Sequence, residues 1–144
     1  MVRVLGNGAR LLLDYLQALA NEEDTTEWWT QLWADHSFLA WIEAYAPWLD
    51  DFETRMQALL RSPTSVPDAE PVAFWHAFSD GFVQAMEPET NRRCRRALAA
   101  LMAADFGAAE RVALSYLPPD TPLDVEVYLT VDGANRGMLS LIHI

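Results

Sequence analysis

Lysine is absent from this sequence, so its 10 basic residues are all arginines, and against 21 acidic residues they leave a net charge of −11. A field of that sign repels polyanions except at a local basic cluster, which makes DNA or RNA an unfavourable partner. Cysteine is almost absent as well. With Cys94 alone, no internal disulfide can form, and no Cys/His spacing of the zinc-finger type occurs. The chain also has no Gly-rich phosphate loop, no Gly-x-Ser-x-Gly elbow and no Cys-x-x-Cys pair, which removes the commonest sequence signals for nucleotide, acyl-transfer and redox chemistry. No apolar run approaches the roughly twenty residues of a membrane span. The stretch after Gly8 is soon broken by Asp14 and Gln17, and it does not read as a secretory leader either. A soluble protein is expected, cytoplasmic by default.

What is present is a core. The chain has 144 residues, 51% of them hydrophobic, enough for one compact domain and too few for two. Leu11, Leu12, Tyr15, Leu16 and Leu19 recur at helical spacing and predict a helix from about Gly8 to Ala20. Thr26 is a candidate N-cap for a second helix, with Trp28, Trp29, Leu32 and Trp33 on its buried side. Ser37 can cap a third through Phe38, Trp41, Ile42 and Tyr45, and Pro47 fits the start of a fourth that runs to Leu60. After the Pro/Ser/Asp-rich loop of 61–70, Phe74, Trp75, Phe78, Phe82 and Met86 mark a fifth helix. Pro88 opens a sixth that carries Leu98, Leu101 and Met102, and Asp105 caps a seventh from Phe106 to Tyr116. From Leu123 to Val131 the period changes to two, with Leu123, Val125, Val127, Leu129 and Val131 on one face and Asp124, Glu126, Tyr128 and Thr130 on the other. The class is α+β, mostly helical, as a single domain over 1–144 that is helical over 1–117 and stranded over 123–144 as a hairpin or partial sheet.

Few side chains suggest chemistry. Aromatic residues at helical spacing in a small domain are usually its core, and these are read so. His76, between Trp75 and Phe78, reads as a structural histidine on an apolar stripe. His36 beside Asp35 offers one imidazole and one carboxylate, an incomplete metal set better read as a surface cap. His143 has no second ligand in sequence range. Arg92, Arg93, Arg95 and Arg96 form the basic cluster, and Glu87, Glu89 and Asp105 can partner them on a solvated face. Cys94 sits inside that run, where positive charge can activate a thiol, but no His, Asp or Asn is visibly assigned to it, so it reads as inert.

The run Ala108-Ala109-Glu110-Arg111-Val112-Ala113-Leu114-Ser115-Tyr116-Leu117-Pro118, followed by Val125 to Met138, resembles the region upstream of the active site in a bacterial family of zinc-dependent peptidases of gluzincin type. Thr26 to Trp33 is similar to that family's N-terminal helical region. The resemblance implies a hydrolase whose zinc is held by a later helix bearing His-Glu-x-x-His, a motif this sequence does not contain, so it implies no metal ligand and no catalytic base here. It further implies a peptide or protein substrate, a role for Leu123 to Val131 in a sheet that backs or borders the peptide-binding cleft, where an exposed strand edge can accept an extended peptide, and substrate contacts near Asn135 and Gly137. The apolar stop at Met138 to Ile144 reads as an unfinished sheet. Leu139 to Ile144 also resemble a translated sequencing-adapter read-through, which implies a natural sequence ending near Met138. The other expectation is a complete, non-enzymatic helical binding module that uses an aromatic groove or the C-terminal strand edge.

Overall fold

The computed structural model describes residues 1–131 and the backbone of 140–143. Its elements run β1 (Val2–Leu5), α1 (Asn7–Ala20), α2 (Thr26–Leu32), α3 (His36–Tyr45), α4 (Phe52–Arg61), α5 (Val72–Met86), α6 (Pro88–Met102), α7 (Gly107–Ser115), β2 (Val125–Leu129) and β3 (Ser140–His143). The fold is α+β and mostly helical, as the hydrophobic periods predict. Among the described residues, no helix is long and apolar enough to cross a membrane.

α1 is the hub. Gly8, Ala9, Leu11, Leu12, Leu13, Tyr15, Leu16 and Ala18 are buried around most of its circumference, and the helix touches α2, α3, α5, α6 and β2. A helix apolar on so many sides must be enclosed by others to be stable in water. Around it, Trp41, Tyr45, Phe52, Trp75 and Phe78 interlock, with Tyr45 stacked on Phe52 at 5.3 Å and Trp41 edge-on to Phe78 at 5.8 Å between ring centroids. The aromatic residues are thus mostly core, with Trp48 and Phe74 left exposed.

Polar atoms inside this core are used as ties between helices. Asn91 on α6 is buried; its Nδ2 donates to the carbonyls of Leu13 (3.1 Å) and Ala85 (2.9 Å) while its Oδ1 accepts from Arg95 Nε (2.7 Å). Tyr15 donates its hydroxyl to the Leu60 carbonyl at 2.7 Å, and Ser79 donates to that of Pro63 at 2.6 Å. Each satisfies a group that would be costly to bury alone.

The starts of α1 and α3 meet at one carboxylate. Asp35 Oδ1 accepts from the Phe38 amide (3.0 Å) and from Ser37 Oγ (2.6 Å), Asp35 Oδ2 accepts from Asn7 Nδ2 (2.6 Å), and Ser37 Oγ accepts from the Gly8 amide (2.8 Å). The cap of α3 is therefore Asp35 and not Ser37, whose hydroxyl reaches the neighbouring helix instead. At Gly8 a Cβ would lie 2.7 Å from the Phe38 nitrogen and from Ser37 Oγ, so only glycine permits the approach. Other boundaries shift for similar local reasons. α2 begins at Thr26 with Asp24, not Thr26, supplying the accepting side chain. α4 starts at Phe52 and not at Pro47, because the chain first turns back to bury Leu49 and Asp51 adopts the left-handed conformation (φ 52°), which a continuing helix cannot contain. α7 begins at Gly107, one residue later than expected, with Phe106 in the cap position and Asp105 accepting from the Gly107 amide.

The sheet has the order β1-β2-β3. β1 runs parallel to β2 with Val2 opposite Val125 and Leu5 opposite Tyr128; β3 runs antiparallel with Glu126 opposite His143 and Leu129 opposite Ser140. β1 leaves no mark in the hydrophobic pattern, since four residues are too few to display a period and its partner β2 is far away in the chain. Because β1 and β3 flank it and form the edges of the described sheet, β2 is the central strand. Its two faces are also less distinct than the alternation suggests, since Tyr128 and Thr130 are buried along with Val127, Leu129 and Val131.

Burial works to raise the Asp35 carboxyl, but the hydrogen bonds from Ser37, Asn7 and the Phe38 and Ser37 amides outweigh it and hold the group below its ordinary 3.8. A carboxylate held low contributes stability that is full above its unfolded value and is lost as pH falls through the folded one. Asp35→Ala is expected to cost about 1–2 kcal/mol at neutral pH. Urea unfolding at neutral pH and below pH 3.8 should show the gap between wild type and variant narrowing on the acid side.

Candidate functional site

The densest group of ionisable side chains on the sheet surrounds Glu126, whose register places it opposite Arg3 on β1. Arg3 Nη2 lies 2.9 Å from Glu126 Oε1 and 3.2 Å from Asp124 Oδ2. The other oxygen of Glu126 accepts a short hydrogen bond from the Tyr128 hydroxyl and lies 3.6 Å from His36 Nε2, which is itself 3.3 Å from the Tyr128 oxygen. β1, β2 and the first residue of α3 thus converge on one carboxylate. The His36 ring stands edge-on to Tyr128 with centroids 5.8 Å apart and is otherwise open to water, its side chain 75% exposed.

The electrostatics follow from these contacts. The hydrogen bond from Tyr128 holds the Glu126 carboxyl down, with Arg3 and His36 adding to the effect against a smaller opposing influence of burial. The same bond, together with burial and the charge of Glu126, pushes the Tyr128 phenol up to about 12. Glu126 is therefore a fixed anion at neutral pH, and Tyr128 is too weak an acid to give up its proton there. Both oxygens of Glu126 are occupied, so the cluster acts as a strut between sheet and α3 with an exposed imidazole at its rim.

These residues do not make up a zinc site of their own. One imidazole and one already engaged carboxylate are too few, and among the described residues no three His, Cys, Asp or Glu side chains come together in a way that could hold a metal ion. His36, read from sequence as a surface cap, is exposed, and the cap itself is Asp35. His143 occupies the register position opposite Glu126. Asn135 and Gly137 lie outside the described residues. His76 is exposed on α5, not part of the apolar stripe, because one step from buried Trp75 rotates it to the solvent side.

The basic cluster divides. Arg92 and Arg93 pair outward with Glu89 at 3.2 and 3.8 Å, as a solvated face should. Arg95 turns inward to Asp14 at 2.6 Å and also donates to Gln17 at 2.9 Å and to Asn91, so it belongs to the α1–α6 junction. Nothing in the local sequence separates Arg95 from its neighbours; its fate depends on α1. Cys94 is a free thiol that burial pushes up, with Arg93 offsetting this only in part. The positive run does not activate it.

Compared with known protein families, curated proteins and solved structures, the chain matches none of them.

Two measurements address this site. A phenol ionising near pH 12 should be visible in an ultraviolet titration of the folded protein and vanish in Tyr128→Phe. Because its folded value lies above the ordinary 10.0, the stability it contributes is complete below that pH and is lost as pH rises toward 12, a loss that Tyr128→Phe should not show. Alkylation of Cys94 at neutral pH should be slower in the folded chain than in urea, since less thiolate is present.

Proposed function

We propose that this chain forms the helical lead-in and first sheet of a zinc-dependent peptidase of gluzincin type, acting on peptide or protein substrates. The observation that carries this reading is α7. None of its residues is buried, and Val112 (60%), Leu114 (38%), Tyr116 (84%) and Leu117 (38%) are exposed on it and just after it. That stretch lies within Ala108 to Pro118, the sequence that resembles the run upstream of the family's active site. Apolar side chains exposed around α7 on more than one side suit packing against a further protein body, such as one bearing the His-Glu-x-x-His helix.

In this arrangement the small sheet backs the substrate cleft, and an extended peptide adds to an edge strand, β1 or β3, since β2 is paired on both sides. Zinc belongs to the longer protein, and none of its ligands is assigned to this chain. A cytoplasmic setting is part of the same reading, in keeping with the single unpaired cysteine.

The decisive test is a longer coding sequence containing this region. It should encode His-Glu-x-x-His within a few tens of residues beyond Met138, and its product should retain zinc through dialysis and cleave casein until the motif's Glu is changed to Gln. A continuation without the motif ends the proposal. In the present chain, the double substitution Val112→Gln, Leu114→Gln should leave urea stability within about 0.5 kcal/mol while reducing the fluorescence of a hydrophobic dye.

A further inference from the structure

Between the β1–α1 turn and α6 lies an open cleft of about 350 Å³, at the lower end of the sizes that hold small molecules. Its two walls differ in character. One is an apolar stripe of α6, formed by Leu98, Ala99 and Met102, which sit one helical turn apart or adjacent. Gly6 faces that stripe closely: a Cβ there would fall 2.6 Å from Met102 Sδ and 3.0 Å from Leu98 Cδ1. Its φ of −117° is one any residue adopts, so space and not backbone conformation favours glycine at this point.

The other end of the cleft is cationic. Arg10 and Arg95 both line it, and both are bound to the single carboxylate of Asp14, at 3.1 and 2.6 Å. Among the described residues, two guanidiniums share one carboxylate, a net positive group in an otherwise acidic protein. A guanidinium has five N–H donors, and among the described residues Arg10 commits two of its nitrogens and Arg95 three, leaving donors on both to face solvent. The guanidiniums are also fixed in place, Arg10 by Asn7 and Arg95 by Asn91 and Gln17, so little side-chain freedom remains to be lost on binding. The first turn of α1, which borders the cleft, contains no acidic residue and presents the positive end of that helix.

From this geometry we infer that the cleft binds a small anionic amphiphile, a medium-chain carboxylate, whose head group sits on Arg10 and Arg95 and whose chain lies along Leu98, Ala99 and Met102. The site is independent of the peptidase proposal. Its selectivity is for a small anion over a polyanion, because the two arginines dominate only within about a Debye length, beyond which the protein's net negative charge governs approach.

The test is calorimetric titration of the full chain with sodium decanoate, using decanol as the uncharged tail and acetate as the bare head group. Decanoate should bind saturably at one per chain and at least tenfold more tightly than either control. Ala99→Phe fills the cleft from an exposed helix position, and Arg10→Gln removes a charge from a half-exposed side chain; each should weaken decanoate at least tenfold with the circular-dichroism melt unchanged. Lack of saturation, decanol binding as tightly as decanoate, or undiminished binding by both variants would overturn the assignment.

Discussion

The fold depends on how closely α1 and α3 start beside each other. Gly8 admits the Ser37 hydroxyl and the Phe38 backbone because it has no side chain, and Asp35 then joins the two helix beginnings through Asn7 and Ser37. With that junction fixed, the apolar faces of α1 and α3 are turned toward the interior that Trp41 and Leu12 share, and α3 delivers His36 to the sheet. The sheet in turn packs on α1 and α3 through β2. One small residue and one carboxylate therefore govern the relation between the helical body and its strands.

Arginine in this protein serves two kinds of interaction that its uniform use conceals. Arg92 and Arg93 make exposed pairs with Glu89, of the sort that contribute little to stability. Arg3 and Arg95 instead connect elements distant in sequence, Arg3 bridging β1 to β2 and Arg95 bridging α6 to α1. The forked guanidinium suits the second task because it can satisfy several acceptors in fixed directions at once, as Arg95 does with Asp14, Asn91 and Gln17. A lysine in its place would offer a point charge and fewer directional ties.

What the sequence revealed and what it concealed divide along the range of the interactions. Helices α1, α5 and α6 and strand β2 were legible because their apolar periods, and Pro88 at a helix start, are local signals. The cap of α3 was misread by two residues because Asp35 and Ser37 are both capping types, and only the position of α1 decides between them. β1 was invisible for a similar reason. The site was less legible still: His36 and Tyr128 are 92 residues apart, and neither carries a local mark of its neighbour. Asn91 and Arg95 lie in a polar stretch that reads as solvent-facing until Leu13, Asp14 and Gln17 are set against it.

The parallel pairing of Val2 with Val125 has a consequence for the order in which the molecule assembles. The seven helices of the described residues lie between those two strands in the chain, so the sheet joins segments whose encounter carries a large loop-closure cost until the helices have collapsed. The helical body can form from contacts nearer in sequence, and the strands then dock on it as a late clasp. The link between Glu126 and His36 is therefore made only once both ends of that long stretch have met on the helical body.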